Sequence, residues 1–118
     1  EKINSQTQCK AQLLDLNDHE TLRKEINESI IFTNATNVGM GKLEGKMVLP
    51  DTSYLRKDLI VSDVIYMPEK TQLLEEAEKI GCKTINGLGM MLYQGAASFK
   101  LWTDQDMPID VVKEALDF

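Results

Sequence analysis

Thr84-Ile85-Asn86-Gly87-Leu88-Gly89-Met90-Met91-Leu92-Tyr93-Gln94-Gly95-Ala96-Ala97-Ser98-Phe99-Lys100-Leu101-Trp102-Thr103 is the stretch whose reading decides the fold. A short strand runs into a tight turn at Gly87, and a helix begins at once. A glycine at such a turn lets the backbone come close to a ligand. Gln94 follows about two helical turns later, on the same face as Gly87 and about 10 Å along the axis. One helix could therefore touch two parts of a bound assembly. Leu88, Met91, Leu92, Gly95, Phe99 and Trp102 make the neighbouring packing face, with Met91, Phe99 and Trp102 expected in the core. Taken alone, Gln94 fits a ligand contact or a satisfied core amide equally well.

Strands and helices alternate on either side of this stretch. Leu59-Ile60-Val61-Ser62-Asp63-Val64-Ile65-Tyr66 is the clearest strand, and Met67-Pro68 ends it because proline fits poorly in a central strand. A helix is predicted over 70–80, with Leu73, Leu74, Ala77 and Ile80 as its buried stripe and Gly81 closing it. Residues 82–85 form the next strand. Upstream, Ile30-Ile31-Phe32-Thr33 reads as a buried strand. Before it, Asn17 or Asp18 caps a helix over 18–28 that turns Leu22 and Ile26 inward. Cys9 to Leu14 reads as a further strand, 37–50 as a glycine-rich irregular segment, and 51–57 as a short helix. Asp106-Met107-Pro108 breaks the chain before a last amphipathic helix over 109–117. The alternation implies an α/β fold: a mostly parallel sheet with helices packed on its faces. The opening Glu1-Lys2-Ile3-Asn4 has neither Met nor a capping signal. Residues 1–5 are expected to be the tail of an earlier helix, and the chain a piece of a larger protein.

Composition narrows the function. A length of 118 residues is that of one small domain, 42% hydrophobic and 27% charged. A net charge of -6 argues against a nucleic-acid surface, which needs clustered Lys and Arg. It does not argue against nucleotide cofactors, which bind through backbone N–H groups and helix N-termini. Cys9 and Cys82 match no metal spacing and read as reduced cytosolic thiols. His19 reads as a solvated first-turn residue. Asn27-Glu28-Ser29 and Asn34-Ala35-Thr36 match glycosylation sequons by accident, since nothing else suggests secretion. No stretch is long and apolar enough for a membrane helix. Gly39-Met40-Gly41-Lys42-Leu43-Glu44-Gly45 has the wrong spacing for a nucleotide-binding turn and reads as a loop. Glu75-Glu76-Ala77-Glu78 reads as a solvated helix face.

In open α/β sheets, ligands bind beyond the carboxyl ends of the strands. Three such ends carry polar or glycine residues: Asn34-Ala35-Thr36-Asn37, Tyr66, and Asn86-Gly87. If the strands are parallel neighbours, all three share one edge.

These residues carry a resemblance. Thr33-Asn34-Ala35-Thr36-Asn37-Val38-Gly39-Met40 resembles the N-A-T-x-x-G-M segment of shikimate dehydrogenases. Asp63-Val64-Ile65-Tyr66-Met67-Pro68 resembles their D-x-x-Y-x-P strand end. Asn86-Gly87-Leu88-Gly89-Met90, then Gln94-Gly95-Ala96 and Leu101-Trp102-Thr103, resembles their last long helix. The resemblance covers about 30–118, and the ending from Met107-Pro108 is similar to the shikimate/quinate branch. It implies an incomplete Rossmann-like parallel sheet with helices on both faces, residues 1–118 being the C-terminal portion of an NAD(P)-binding domain. The substrate domain and the first glycine-rich unit would lie outside the chain, and with them the family's proton-handling Lys and Asp. The fragment alone is then expected to be inactive, with no catalytic residue and no metal site of its own.

The implied activity is interconversion of shikimate and 3-dehydroshikimate, or quinate and 3-dehydroquinate, with NADP or NAD, in aromatic amino acid (chorismate) biosynthesis in the cytoplasm. Asn34, Ala35, Thr36 and Asn37 would flank the cofactor. Val64 and Gly87 would approach its nicotinamide end, and Tyr66 and Gln94 would reach the cyclic acid. No nucleic-acid or membrane partner is expected, and a homodimer is among the assemblies the resemblance allows. Val64 stands where many members carry Met and Asn37 where some carry Lys, which leaves cofactor preference open; Met67 stands where many carry Asn. A quinate-sensing regulator of the same fold and a different Rossmann dehydrogenase are the competing readings.

Overall fold

The computed structural model describes residues 2–116. Its helices are α1 (Lys2–Gln6), α2 (His19–Glu28), α3 (Gln72–Ile80), α4 (Leu88–Thr103) and α5 (Ile109–Ala115), and its strands β1 (Ile31–Asn34), β2 (Ile60–Asp63) and β3 (Lys83–Ile85). The strands form one parallel sheet in the order β1-β2-β3. Ile31 pairs with Ile60 and Asn34 with Asp63, while Ser62 pairs with Ile85. Parallel neighbours require a crossover, and α3 supplies it between β2 and β3.

Alternation along the strands places Phe32, Asn34, Val61 and Asp63 on one face. The core lies there: Val61 belongs to one buried cluster with Leu22 and Ile26 of α2, Leu73, Leu74 and Ala77 of α3, and Leu49, Tyr54, Leu55 and Leu59 from the connecting segments. Ile31 and Ile85, on the other face, stay about half-exposed.

The helix boundaries follow from caps. Asp18 accepts the Thr21 N–H at 3.1 Å and starts α2. Arg56 braces the end of α2 by donating to the carbonyls of Ile26, which also accepts the Ser29 N–H, and of Ser29. Thr71 caps α3 at its start. Gly81 closes it, donating to the carbonyls of Ala77 and Glu78.

Several expectations change. Cys9 to Leu14 forms no strand; the segment is irregular and exposed, with Leu13 fully so. A lone extended run has no ladder to satisfy its backbone, and no described strand pairs with it. The helix expected over 51–57 contracts to a single tight turn, Thr52–Tyr54, started by Asp51. Helix α4 forms as read, but Trp102 is 83% exposed and lies outside the core. Met91 and Phe99 are only half-buried, and Leu92 alone of this helix is buried. Toward the far end of α4, Leu101 and Trp102 stay largely exposed. The helix expected over 109–117 ends at Ala115, and its residue 117, like Glu1, lies outside the described residues.

Candidate functional site at the carboxyl edge of the sheet

Because β1, β2 and β3 are parallel neighbours, the segments after Asn34, Asp63 and Ile85 do meet along one edge. At its centre is a buried polar cluster. Asn34 is 2% exposed and Asp63 1%. The Asn34 side-chain N–H group donates to both Asp63 oxygens at 3.2 Å and to the Val38 carbonyl at 2.9 Å. Its side-chain oxygen accepts from the Thr36 N–H at 3.1 Å and the Thr36 hydroxyl at 2.7 Å. Asp63 also accepts from the Ile65 N–H at 3.0 Å and the Thr71 hydroxyl at 2.8 Å. Asn34 therefore spends its side chain inside the protein, holding the turn 35–38 in place. Ala35, Thr36 and Asn37 are the exposed residues of that turn. Gly39 completes it at φ +113, where a Cβ would press on Ile65 and Thr71 at 3.3 Å.

Two clefts open beside this cluster. The first, about 640 Å³, lies between the turn after β1 and the segment after β2, and is lined by Thr36, Asn37, Met40, Val64, Tyr66 and Pro68 among others. The second, about 580 Å³, lies between the segment after β2 and the start of α4, with Tyr66, Met67, Asn86, Leu88 and Met91 in its walls. Tyr66 stands in both and is partly exposed. The Met67–Pro68 peptide bond is cis.

Gly87 is buried at the junction of β3 and α4. Its N–H donates to the Ile65 carbonyl at 2.9 Å. A Cβ there would fall 2.1 Å from the Val64 carbonyl oxygen. The close approach that this glycine permits within the chain is thus to the main chain of Val64 and Ile65. Gln94, two turns on, is exposed and lines neither cleft. It is not a core amide. The structure therefore brings Thr36, Asn37, Val64 and Tyr66 together, sets Gly87 behind them, and leaves Gln94 apart on the outer part of α4.

A third hollow, about 680 Å³, lies on the α3 side and holds Lys70, Glu78 and Thr84. Lys70 pairs with Glu78 at 2.8 Å, and the same hydrogen-bonded contact raises the lysine and lowers the glutamate from their ordinary pKa values. Among the described residues no cluster of His, Cys, Asp and Glu could hold a metal ion. No described helix is long and apolar enough to cross a membrane.

Asp63 and Thr71 are central to the site; Asp63 enters the sequence reading only as the first residue of the D-x-x-Y-x-P resemblance, without a role, and Thr71 not at all. The available signal is weak: Ser62-Asp63 interrupts the apolar run 59–66 with polar side chains, and Thr71 precedes a helix as any cap does.

A parallel sheet with its clefts and polar turns gathered at the carboxyl ends of the strands defines a Rossmann-like α/β unit. A family described as shikimate 5'-dehydrogenase C-terminal domain matches residues 87–116. The shikimate dehydrogenase (NADP(+)) of Listeria monocytogenes serotype 4b (strain F2365) is 64% identical over 116 residues, covering 98% of this chain and 40% of that protein. The crystal structure of shikimate 5-dehydrogenase from Listeria monocytogenes in complex with shikimate and NAD superposes with a TM-score of 0.91 at 63% identity, covering 98% of this chain and 40% of that one. Quinate dehydrogenase from Corynebacterium glutamicum in complex with NAD superposes with a TM-score of 0.73 at 32% identity, covering 83% of this chain and 34% of that one. The chain belongs to the shikimate dehydrogenase family. It spans about 40% of the length of curated relatives it matches.

Proposed function

We propose that the native protein carrying this sequence is an NAD(P)-dependent shikimate dehydrogenase, oxidising the ring alcohol of shikimate to the ketone of 3-dehydroshikimate and catalysing the reverse. The observation that carries this reading is 64% identity across 98% of the chain to a protein with that activity in its name. Residues 1–118 would then be the C-terminal portion of the cofactor-binding unit.

The residues present fit the nicotinamide end of a dinucleotide. The first cleft offers an apolar floor from Met40, Val64 and Ile65 and a rim of hydroxyl and amide groups from Thr36 and Asn37. That donor set suits a flat ring bearing a carboxamide and a ribose, and it lacks the cluster of cations a phosphate would want. Bound NAD(P) would supply the acceptor for the hydride. The chain's own part is to hold that ring through Ala35, Thr36, Asn37 and Val64, with Gly87 fixing the Val64–Ile65 main chain from behind. Tyr66 stands between the two clefts, where its phenol can reach a hydroxyl or carboxylate of a cyclic acid. Gln94 would serve the same acid from α4.

Both cofactors occur among the relatives: NADP(+) stands in the name of the Listeria monocytogenes protein, and NAD is bound in the Listeria crystal structure and in the quinate dehydrogenase. The 32% identity to a quinate dehydrogenase makes quinate the second substrate to try. The test is steady-state reduction of NADP and NAD by the native protein with shikimate and with quinate. Activity with shikimate supports the proposal, and its absence with both cofactors refutes it. The isolated chain is expected to show no turnover, because the resemblance assigns the proton-handling Lys and Asp to the part of the family's sequence that precedes it.

A further inference from the structure

We propose that Asp63 is a positioning residue that sets both walls of the nicotinamide cleft at once, an inference that rests on the reading just given. An ionised carboxylate can only accept hydrogen bonds. Asp63 therefore forces Asn34 to turn its N–H group inward, since the carboxamide would otherwise present oxygen to oxygen. With Asn34 fixed that way round, its oxygen faces Thr36 and takes both the Thr36 N–H and the Thr36 hydroxyl proton. The Thr36 oxygen is then free to accept the Val38 N–H at 3.1 Å. The polarity of Asp63 is passed along in one direction to the turn that forms the first wall.

The same carboxylate fixes the second wall. It accepts the N–H of Ile65, the residue before Tyr66, and the hydroxyl of Thr71, which caps α3. Its partners are neutral donors drawn from β1, from the segment after β2 and from the start of α3. A buried carboxylate is costly to keep on such terms when only shape is needed. An asparagine would match its shape, but would set its own N–H group among three donors. The turn 35–38 and the Tyr66 segment would lose their common reference while the apolar core below remained intact.

The test uses the native protein with Asp63→Asn, Thr71→Val and Thr71→Ser. Asp63→Asn is expected to raise KM for both the cofactor and the cyclic acid by about tenfold, more than it lowers kcat, as the loss of a charge-assisted hydrogen bond would. Thr71→Val should shift both KM values in the same direction by a smaller factor, and Thr71→Ser should restore them. A purely structural role would lower Tm in Asp63→Asn and Thr71→Val and leave both KM values at wild type, which overturns the inference. So does a Thr71→Ser enzyme as impaired as Thr71→Val, because the hydroxyl would then not be the active feature. If Asp63→Asn fails to fold, the Thr71 pair decides by the same criteria. A wild-type protein inactive with shikimate and quinate refutes the underlying function and this inference with it. An active one with unmoved KM values in the variants refutes only the inference.

Discussion

Gly87 stands against Val64 so closely that a Cβ at residue 87 would lie 2.1 Å from the Val64 carbonyl oxygen and 2.5 Å from its carbon. Backbone cannot swing aside as a flexible side chain can. Gly87→Ala is therefore expected to cost about 2–3 kcal/mol in urea unfolding of the chain, the upper range for overpacking. Gly89 and Gly95, on α4, have open space where a Cβ would go. Alanine at either should raise stability by about 0.5–1 kcal/mol through helix propensity. Equal effects at all three positions would contradict the contact.

Tyr66 lines both clefts and Gln94 lies on the exposed side of α4. In the native protein assayed for the proposed activity, Tyr66→Phe and Gln94→Ala should each raise KM for the cyclic acid by about five- to tenfold, the worth of one neutral hydrogen bond. KM for the cofactor should move less. Wild-type kinetics in both variants would remove these residues from the substrate side.

Acid should loosen the chain from its caps. The Asp18 carboxyl is held below its ordinary 3.8 by hydrogen bonds from Thr21, and Asp51 likewise by Ser53. A carboxyl lowered in the folded state adds stability that is complete above the unfolded value and is lost as pH falls through the folded one. Tm should therefore hold from pH 7 to about 5 and drop below 4. The double variant Asp18→Asn/Asp51→Asn, which keeps acceptor oxygens but cannot titrate, should show a shallower fall over that window. An unchanged slope in the double variant would assign the acid sensitivity elsewhere.

Arg56 reaches the carbonyls of Ile26 and Ser29 with one guanidinium and pairs with Asp58 at 3.1 Å through its Nε. A lysine ammonium cannot address these groups from one plane. Arg56→Lys should cost about 1–2 kcal/mol in urea unfolding despite conserving the charge. Indistinguishable midpoints for lysine and arginine would mean that charge alone accounts for the contact.

The strands and caps that organise the fold were legible because their signals are local. Leu59 to Tyr66 and Ile30 to Thr33 announce parallel strands by apolar runs, and Gly81 and Asp18 announce helix ends. The strand expected to run to Tyr66 stops at Asp63, where pairing gives way to the carboxylate holding the Ile65 N–H. That bond itself is local, but the same carboxylate is also held by Asn34, 29 residues upstream, and by Thr71, 8 residues on. The failure at Cys9 to Leu14 has the same root: a strand is a property of a pair, and composition shows only one member. Trp102 misled for the converse reason. Its spacing on α4 is that of a buried stripe, but burial depends on what lies opposite. At the edge of the sheet, convergence of Asn34–Asn37, Tyr66 and Gly87 was readable as soon as the strands were taken as parallel. The division of labour among them was not. The Asn34 side chain braces the turn after β1, and Gly87 touches the backbone of Val64 and Ile65 just past the end of β2.

Of the sixteen residues of α4 only Leu92 is buried, while Leu101 and Trp102 lie open at its far end. Such a helix has two clocks. Amides near Gly87 and Leu92 share the fate of the sheet and exchange with solvent only when the core opens, whereas those beyond Gln94 are guarded by little more than the helix's own ladder and exchange by local fraying. Ligand held between the strand ends would slow the first set, and a partner surface laid over Leu101 and Trp102 would slow the second. Isotope exchange along this one element would therefore report the two events separately.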